Sequence, residues 1–295
     1  MSDRPVMMWW RDARAISLFG LIAGCLFMST SVMGRDGMSK PRRIVSLNLC
    51  SDQNLFGLVS RDRIAALFIL SGDRQYSNIA RDVAGIPLIR GGAEEVMRLG
   101  ADLVLAGPYT TKATVTLLKR LGHRVVIVPV ATSFAMIADN IELIAKAVGE
   151  DARGRLDADK FRERLRTLKA RVGSARPLAA VIYTNNFTAS PGSLAAEVVA
   201  HAGYRNLGTR EGASLLSRLG LEEIIFNRPD ILIKGHASGD YHTVLGDNLR
   251  HPVLAGVFSA ARQVEIPERL WLCGTARTLD ALERLIDARS NVGGD

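Results

Sequence analysis

The chain has 295 residues, 47% hydrophobic and 23% charged, a globular composition with apolar material for two ordinary domains. Its formal charge of +8 favours anionic partners or membrane headgroups over acidic proteins. That charge is spread along the chain with no aromatic-interleaved basic stripe, which argues against nucleic acid as a partner.

Residues 1–34 read as a signal peptide. Arg4, Arg11 and Arg14 precede an uncharged run over 15–34, after which Arg35 and Asp36 restore polarity. The run is about 20 residues, just long enough for a retained anchor, but Ser29, Thr30 and Ser31 make its second half only mildly apolar. Cleaved export is therefore the reading and an anchor the alternative. Within the segment, LIAGC ending at Cys25 resembles a bacterial lipobox, whereas the apolar Leu26, Phe27 and Met28 favour ordinary cleavage near Val32-Met33-Gly34. Removing 1–34 leaves a charge of +7 and two cysteines, Cys50 and Cys273, in a compartment where disulfides persist.

Beyond residue 40, short β-branched runs alternate with helical periods, as in parallel α/β units. Strands are predicted at 44–47, 64–67, 103–106 and 125–128, with Ser51 or Asp52 capping a helix after the first. A helix is predicted over 133–148, with Ile137, Ile141, Ile144 and Val148 on one face. The stretch 150–172 reads as a long charged helix carrying Leu156, Phe161, Leu165, Leu168 and Val172. At about 22 residues it would reach roughly 33 Å, enough to cross between two domains.

The two halves resemble each other. EEVMRLGADLVL at 94–105 matches EEIIFNRPDILI at 222–233, with identities at Glu94/Glu222, Glu95/Glu223 and Asp102/Asp230. Less closely, IVSLNLCSDQ matches AVIYTNNFTAS, and VVIVPVATSF matches VEIPERLWLC, in the same order. The predicted fold class is α/β: two similar lobes with parallel-rich sheets joined by one long helix, with a ligand cleft between them. The divisions are an N-terminal lobe at 42–149, the connecting helix at 150–176 and a C-terminal lobe at 177–289. Ligands of such sheets bind at strand carboxyl ends, here the loops 48–53, 68–76, 107–111 and 131–134, then 184–193, 235–243 and 269–276.

RIVSLNLCSDQNLFGL, EEVMRLGADLVLAGPYT, LKRLGHRVVIVPVATSFAMI and PGSLAAEVVAHAGYRNL, in that order, resemble the periplasmic binding proteins for cobalamin and iron–siderophore complexes. The resemblance covers 42–288 and implies a periplasmic substrate-binding component of an ABC importer, with little hinge motion and no catalysis. It implies a metal-chelate ligand, corrinoid or ferric siderophore, no cofactor of the protein's own, and a monomer that meets a permease dimer with its ATPase. It also implies that Glu94 and Glu222 meet permease arginines; the reading from the residues alone is acidic first-turn residues offsetting a helix dipole. Tyr109 falls where cobalamin binders of the family place an aromatic residue.

Other candidate ligand contacts come from the strand-end loops: Asn48, Cys50, Tyr76, Phe187, His236, Tyr241 and Trp271. Arg74, Lys112, Lys234 and Arg277 are candidates for neutralising siderophore carboxylates. This mixture does not separate corrinoid from siderophore, and haem or a free transition metal is the alternative ligand.

A cysteine hydrolase needs a histidine beside Cys50. His123 precedes its strand whereas Cys50 follows one, so the two fall on opposite sheet edges. His236 and His242 have only Asp240 nearby as an orienting carboxylate, and the 5 histidines offer no set for a bare metal beyond that loop. Three roles stay open for Cys50 and Cys273: a disulfide between the lobes, small buried residues, or thiols touching the ligand.

Overall fold

A computed structural model describes residues 39–210, 212–213, 217–236 and 251–291. The expected leader with Cys25 lies outside these residues, as do Asp240, Tyr241 and His242.

The first sheet contains β1 (Ile44–Ser46), β2 (Ile64–Phe68), β3 (Leu88–Ile89), β4 (Leu103–Ala106) and β5 (Val125–Ile127), all parallel, in the order β3-β2-β1-β4-β5. Every residue of the central strands β1 and β4 is buried, as in a parallel sheet covered on both faces. The helices α1 (Leu49–Leu55), α2 (Ala93–Arg98), α3 (Lys112–Arg120) and α4 (Phe134–Val148) follow β1, β3, β4 and β5 in turn. The two-residue β3 was not anticipated, because so short a pattern carries no period.

Ser133 caps α4 by accepting from the Met136 N–H, and Gly149 ends it at φ 76, where only glycine is comfortable. The chain then reverses into α5 (Asp151–Ala170), whose 20 residues run about 30 Å. Gly154 lets α5 press against α4, since a Cβ there would run into the Ala145 methyl. The buried stripe of α5 is Gly154, Ala158, Phe161 and Leu168, with half-buried Leu165 between the last two. Leu156, on the same helix, lies outside that stripe and is 54% exposed. It lies two residues from Gly154 and Ala158, on the opposite side of a helix with 3.6 residues per turn.

The connection between lobes involves more than α5. Phe134, Ile137, Ala138 and Ile141, in the first half of α4, belong to the core of the second lobe. Ile144, Ala145 and Val148 belong to the core of the first. The α4–α5 pair therefore contributes side chains to the cores of both lobes. Burying Phe134 or Ile137 contributes about 1.5–3 kcal/mol each, which anchors the first half of α4 in the second lobe.

The second sheet holds β6 (Leu178–Ile182), β7 (Arg205–Asn206), β8 (Ile231–His236) and β9 (Gln263–Pro267), again all parallel, in the order β7-β6-β8-β9. Around it run α6 (Leu194–His201), α7 (Leu221–Asn227), α8 (Pro252–Val257) and α9 (Thr278–Asp287). This order repeats β2-β1-β4-β5 of the first sheet, and the three sequence matches fall on equivalent elements.

The repeat extends to single hydrogen bonds. Asp102, before β4, accepts from the Arg42 and Arg43 N–H groups at the start of β1. Asp230, before β8, accepts from the Leu178 N–H at the start of β6. Each aspartate closes the amino edge of its two central strands. Two residues earlier, Gly100 at φ 59 and Arg228 at φ 45 both take the left-handed conformation that ends α2 and α7. Arginine there carries strain that glycine does not.

Candidate functional site

The loop after β1 meets the segment after β9, so strand carboxyl ends from both lobes converge. Asn48 is extended (φ -147, ψ 124), and its Oδ1 accepts from the Cys50 and Ser51 N–H groups at 3.0 and 3.1 Å. It caps α1, the task expected of Ser51 or Asp52. Cys50, in the first turn, is bonded to Cys273, with Cα atoms 5.0 Å apart. Neither thiol is free, so neither is available as a nucleophile.

Two further bonds cross the junction. Asn54 Nδ2 donates to Gly274 O at 3.0 Å, and Asn78 Nδ2 to Arg269 O at 2.6 Å. Gln53 Oε1 orients Asn78 by accepting from its backbone and side-chain nitrogens, each at 2.9 Å. Gly274 packs so closely that a Cβ would strike the Ala131 methyl. One disulfide and two hydrogen bonds thus hold the lobes together at this point.

Asp52 turns inward. Its Oδ2 accepts from the Phe68 N–H at 2.8 Å and from Ser71 Oγ at 2.6 Å, tying α1 to the end of β2. Oδ1 finds no donor among the described residues. Complete burial pushes the carboxyl up to about 7, against the lowering effect of the Ser46 and Ser71 hydroxyls and the Phe68 N–H.

The aromatic candidates separate. Tyr109, after β4, is 88% exposed and offers a whole ring face. Phe187 is half-buried beneath the Arg218 guanidinium, 4.9 Å from the ring centre, and follows a turn in which Asn185 and Asn186 are both left-handed. Half-buried Tyr76 accepts at its hydroxyl from Gln75 Nε2 at 3.0 Å.

Trp271 corrects the expectation of a cleft contact. It is 3% exposed, sits in the core of the second lobe and meets Tyr183 edge-on, ring centres 5.8 Å apart. Its Nε1 finds no acceptor among the described residues. Gly235 makes room for Tyr183, since a Cβ there would overlap the ring. Burial and then the Glu268 charge push the Tyr183 hydroxyl well above its ordinary range, and burial raises Glu268 in turn. Tyr183 and Glu268 were not singled out from sequence, where they read as ordinary strand and turn residues.

His236 ends β8 and pairs in register with Pro267; Tyr241 lies outside the described residues. Among the basic candidates, Arg74 and Lys112 are exposed, Lys234 lies 3.9 Å from Glu265, and Arg277 pairs with Asp280 at 3.0 Å.

The repeated acidic pairs divide in the same way on both lobes. Glu95 Oε2 accepts from the Gly92 N–H at 2.9 Å, a bond that lowers its pKa, and Glu223 pairs with Arg210 at 2.7 Å. Glu94 and Glu222, each the second residue of its helix, are both exposed.

No family model matches the chain. A cobalamin-binding protein of Halobacterium salinarum is 26% identical over 207 residues, covering 67% of this chain and 54% of its own length. The chain thus spans about half the length of the curated relatives it matches. The apo periplasmic heme-binding protein RhuT from Roseiflexus sp. RS-1 superposes with a TM-score of 0.69 at 20% identity, over 84% of this chain and 98% of that one. The periplasmic vitamin B12-binding protein BtuF of Vibrio cholerae gives 0.66 at 18% identity, over 86% and 98%. The fold is that of the periplasmic binding proteins.

Within that fold, the residues that stitch the lobes were the least visible beforehand. Gln53, Asn54 and Asn78 carry no motif, and a polar residue on a short helix ordinarily faces solvent. Asn54 also bonds Cys50 O within its own helix, and the segment after β9 gives Asn54 and Asn78 their carbonyl partners in the other lobe.

Proposed function

We propose that the chain is the substrate-binding component of an ABC importer. It captures a metal-chelate nutrient, a corrinoid or a ferric siderophore, and delivers it to a two-fold permease with its ATPase. It carries out no catalysis and works in the periplasm, exported through residues 1–34, with lipidation at Cys25 as the alternative to free release. The observation that carries this reading is the two-lobe fold whose equivalent helices α2 and α7 each present an exposed glutamate, Glu94 and Glu222. A symmetric pair of carboxylates suits charge-assisted contact with arginines repeated around a permease two-fold axis. Tyr109 supplies a flat surface for a macrocycle or an aromatic chelator.

Absorbance and calorimetric titration with cyanocobalamin, haemin and a panel of ferric siderophores tests the ligand. Saturable binding of one chelate is expected, and binding of none would overturn the reading. Replacing Glu94 and Glu222 together by Ala should abolish transport while leaving chelate affinity intact.

A further inference from the structure

A cavity of about 390 Å³ opens between both lobes and the connector, lined by Gln53 and Gly57 of the first lobe, Lys160 and Phe161 of α5, and Arg277 before α9. Tyr109, Phe187 and Trp271 are absent from its wall. The volume is that of a small-molecule pocket and too small to enclose a tetrapyrrole.

Its chemistry is lopsided. Arg153, Lys160, Arg164 and Arg277 line it, and Asp157 is the one carboxylate among the lining residues. Arg153 and Lys160 share that Asp157 at 3.6 and 3.9 Å, and Arg164 and Arg277 share Asp280 at 2.8 and 3.0 Å. Arg164 also pairs with Glu283 at 2.9 Å, so these four cations meet three carboxylates, which leaves positive charge at the rim. Gln53 adds a directional feature: its Oε1 is held by Asn78, whereas its buried Nε2 finds no acceptor among the described residues. A buried donor without an acceptor is costly and suits a ligand oxygen. Leu58, Ile79 and Phe161 supply apolar wall, and a Cβ added at Gly57 would meet nothing within 4 Å.

We propose that this cavity is a second ligand site, on the connector side of the junction where the strand-end loops meet, for a small amphiphilic carboxylate. The head group meets the cationic rim and provides the acceptor that Gln53 Nε2 lacks. The apolar body lies against Phe161, Ile79 and Leu58. The occupant touches both lobes and the connector.

Decanoate is the probe, with decanol as its uncharged counterpart, in calorimetric titrations of the whole protein. Two variants separate the parts. Gly57→Leu fills the space, at a glycine outside the left-handed region. Gln53→Glu keeps the acceptor for Asn78 and replaces the free donor with a charge that repels the head group. Saturable decanoate binding is expected, weakened at least about tenfold by either variant and about tenfold weaker for decanol. The thermal midpoint of each variant reports its folding, and either variant alone suffices if the other does not fold. Absence of saturable binding, equal affinity for decanol, or wild-type affinity in a folded variant would each overturn the site.

Discussion

The two lobes are alike at one end of their sheets and unlike at the other. At the amino ends, Asp102 and Asp230 close the same strand pair, and Gly100 and Arg228 take the same left-handed turn. At the carboxyl ends, β1 passes into a helix within three residues under the Asn48 cap, whereas β6 runs through the Asn185–Asn186 turn and reaches α6 only at Leu194. The repeated positions perform local backbone tasks that any copy of the unit needs. The strand-end loops differ between the lobes in length and in the residues that fix them, and ligand contacts on such sheets arise there.

The largest expected effect concerns the point where these unlike ends join. Replacing Cys50 and Cys273 together by Ala removes a cross-link spanning 223 residues, with an expected loss of about 3–5 kcal/mol in denaturant unfolding. A loss under about 1 kcal/mol would mean that the α4–α5 pair and the two hydrogen bonds across the junction hold the lobes in register without the cross-link.

Next comes the pH response of the first lobe's strand-end loop. Folded Asp52 keeps its proton up to about 7, while the unfolded chain loses it near 3.8. The folded state therefore binds the extra proton in that window, and stability falls as pH rises from about 4 to 7, by at most about 4 kcal/mol. Asp52→Asn cannot ionise there, so the difference between wild-type and variant unfolding free energies should track this window. A pH-independent difference would show that the carboxyl ionises normally.

The matched ends are tested by paired substitutions. Asp102→Ala and Asp230→Ala should each cost about 1 kcal/mol by releasing strand N–H groups, read as shifts in the denaturant midpoint. A loss in one lobe alone would break the equivalence. The smallest effects should have opposite signs: Arg228→Gly gains and Gly100→Ala loses roughly 1 kcal/mol, because both positions demand a positive φ.

Much of the framework was legible in the residues. The apolar runs at β1, β2, β4 and β5 and the periodic Ile137, Ile141, Ile144 and Val148 are local patterns, and burial inside a parallel sheet or against one helix face preserves them. Serine before α4 and glycine after it are likewise local signals, and the structure keeps both. The repeat survived as matching strand order, and its identical aspartates, Asp102 and Asp230, are bound to strand backbone.

The tertiary structure decided what depends on a distant neighbour. Ile137 and Ile144 share a helix face in sequence, yet they serve different cores because that face meets both lobes. Trp271 looked like a cleft aromatic until Tyr183, nearly ninety residues away, covered it. The oxygen of Asn48 caps α1, a task expected from sequence of Ser51 or Asp52. The sequence by itself determined the units, because hydrogen-bonded strands and helices impose a period on nearby residues. Which surfaces of those units are buried, bonded or left facing a cavity was decided by packing between segments that no period connects.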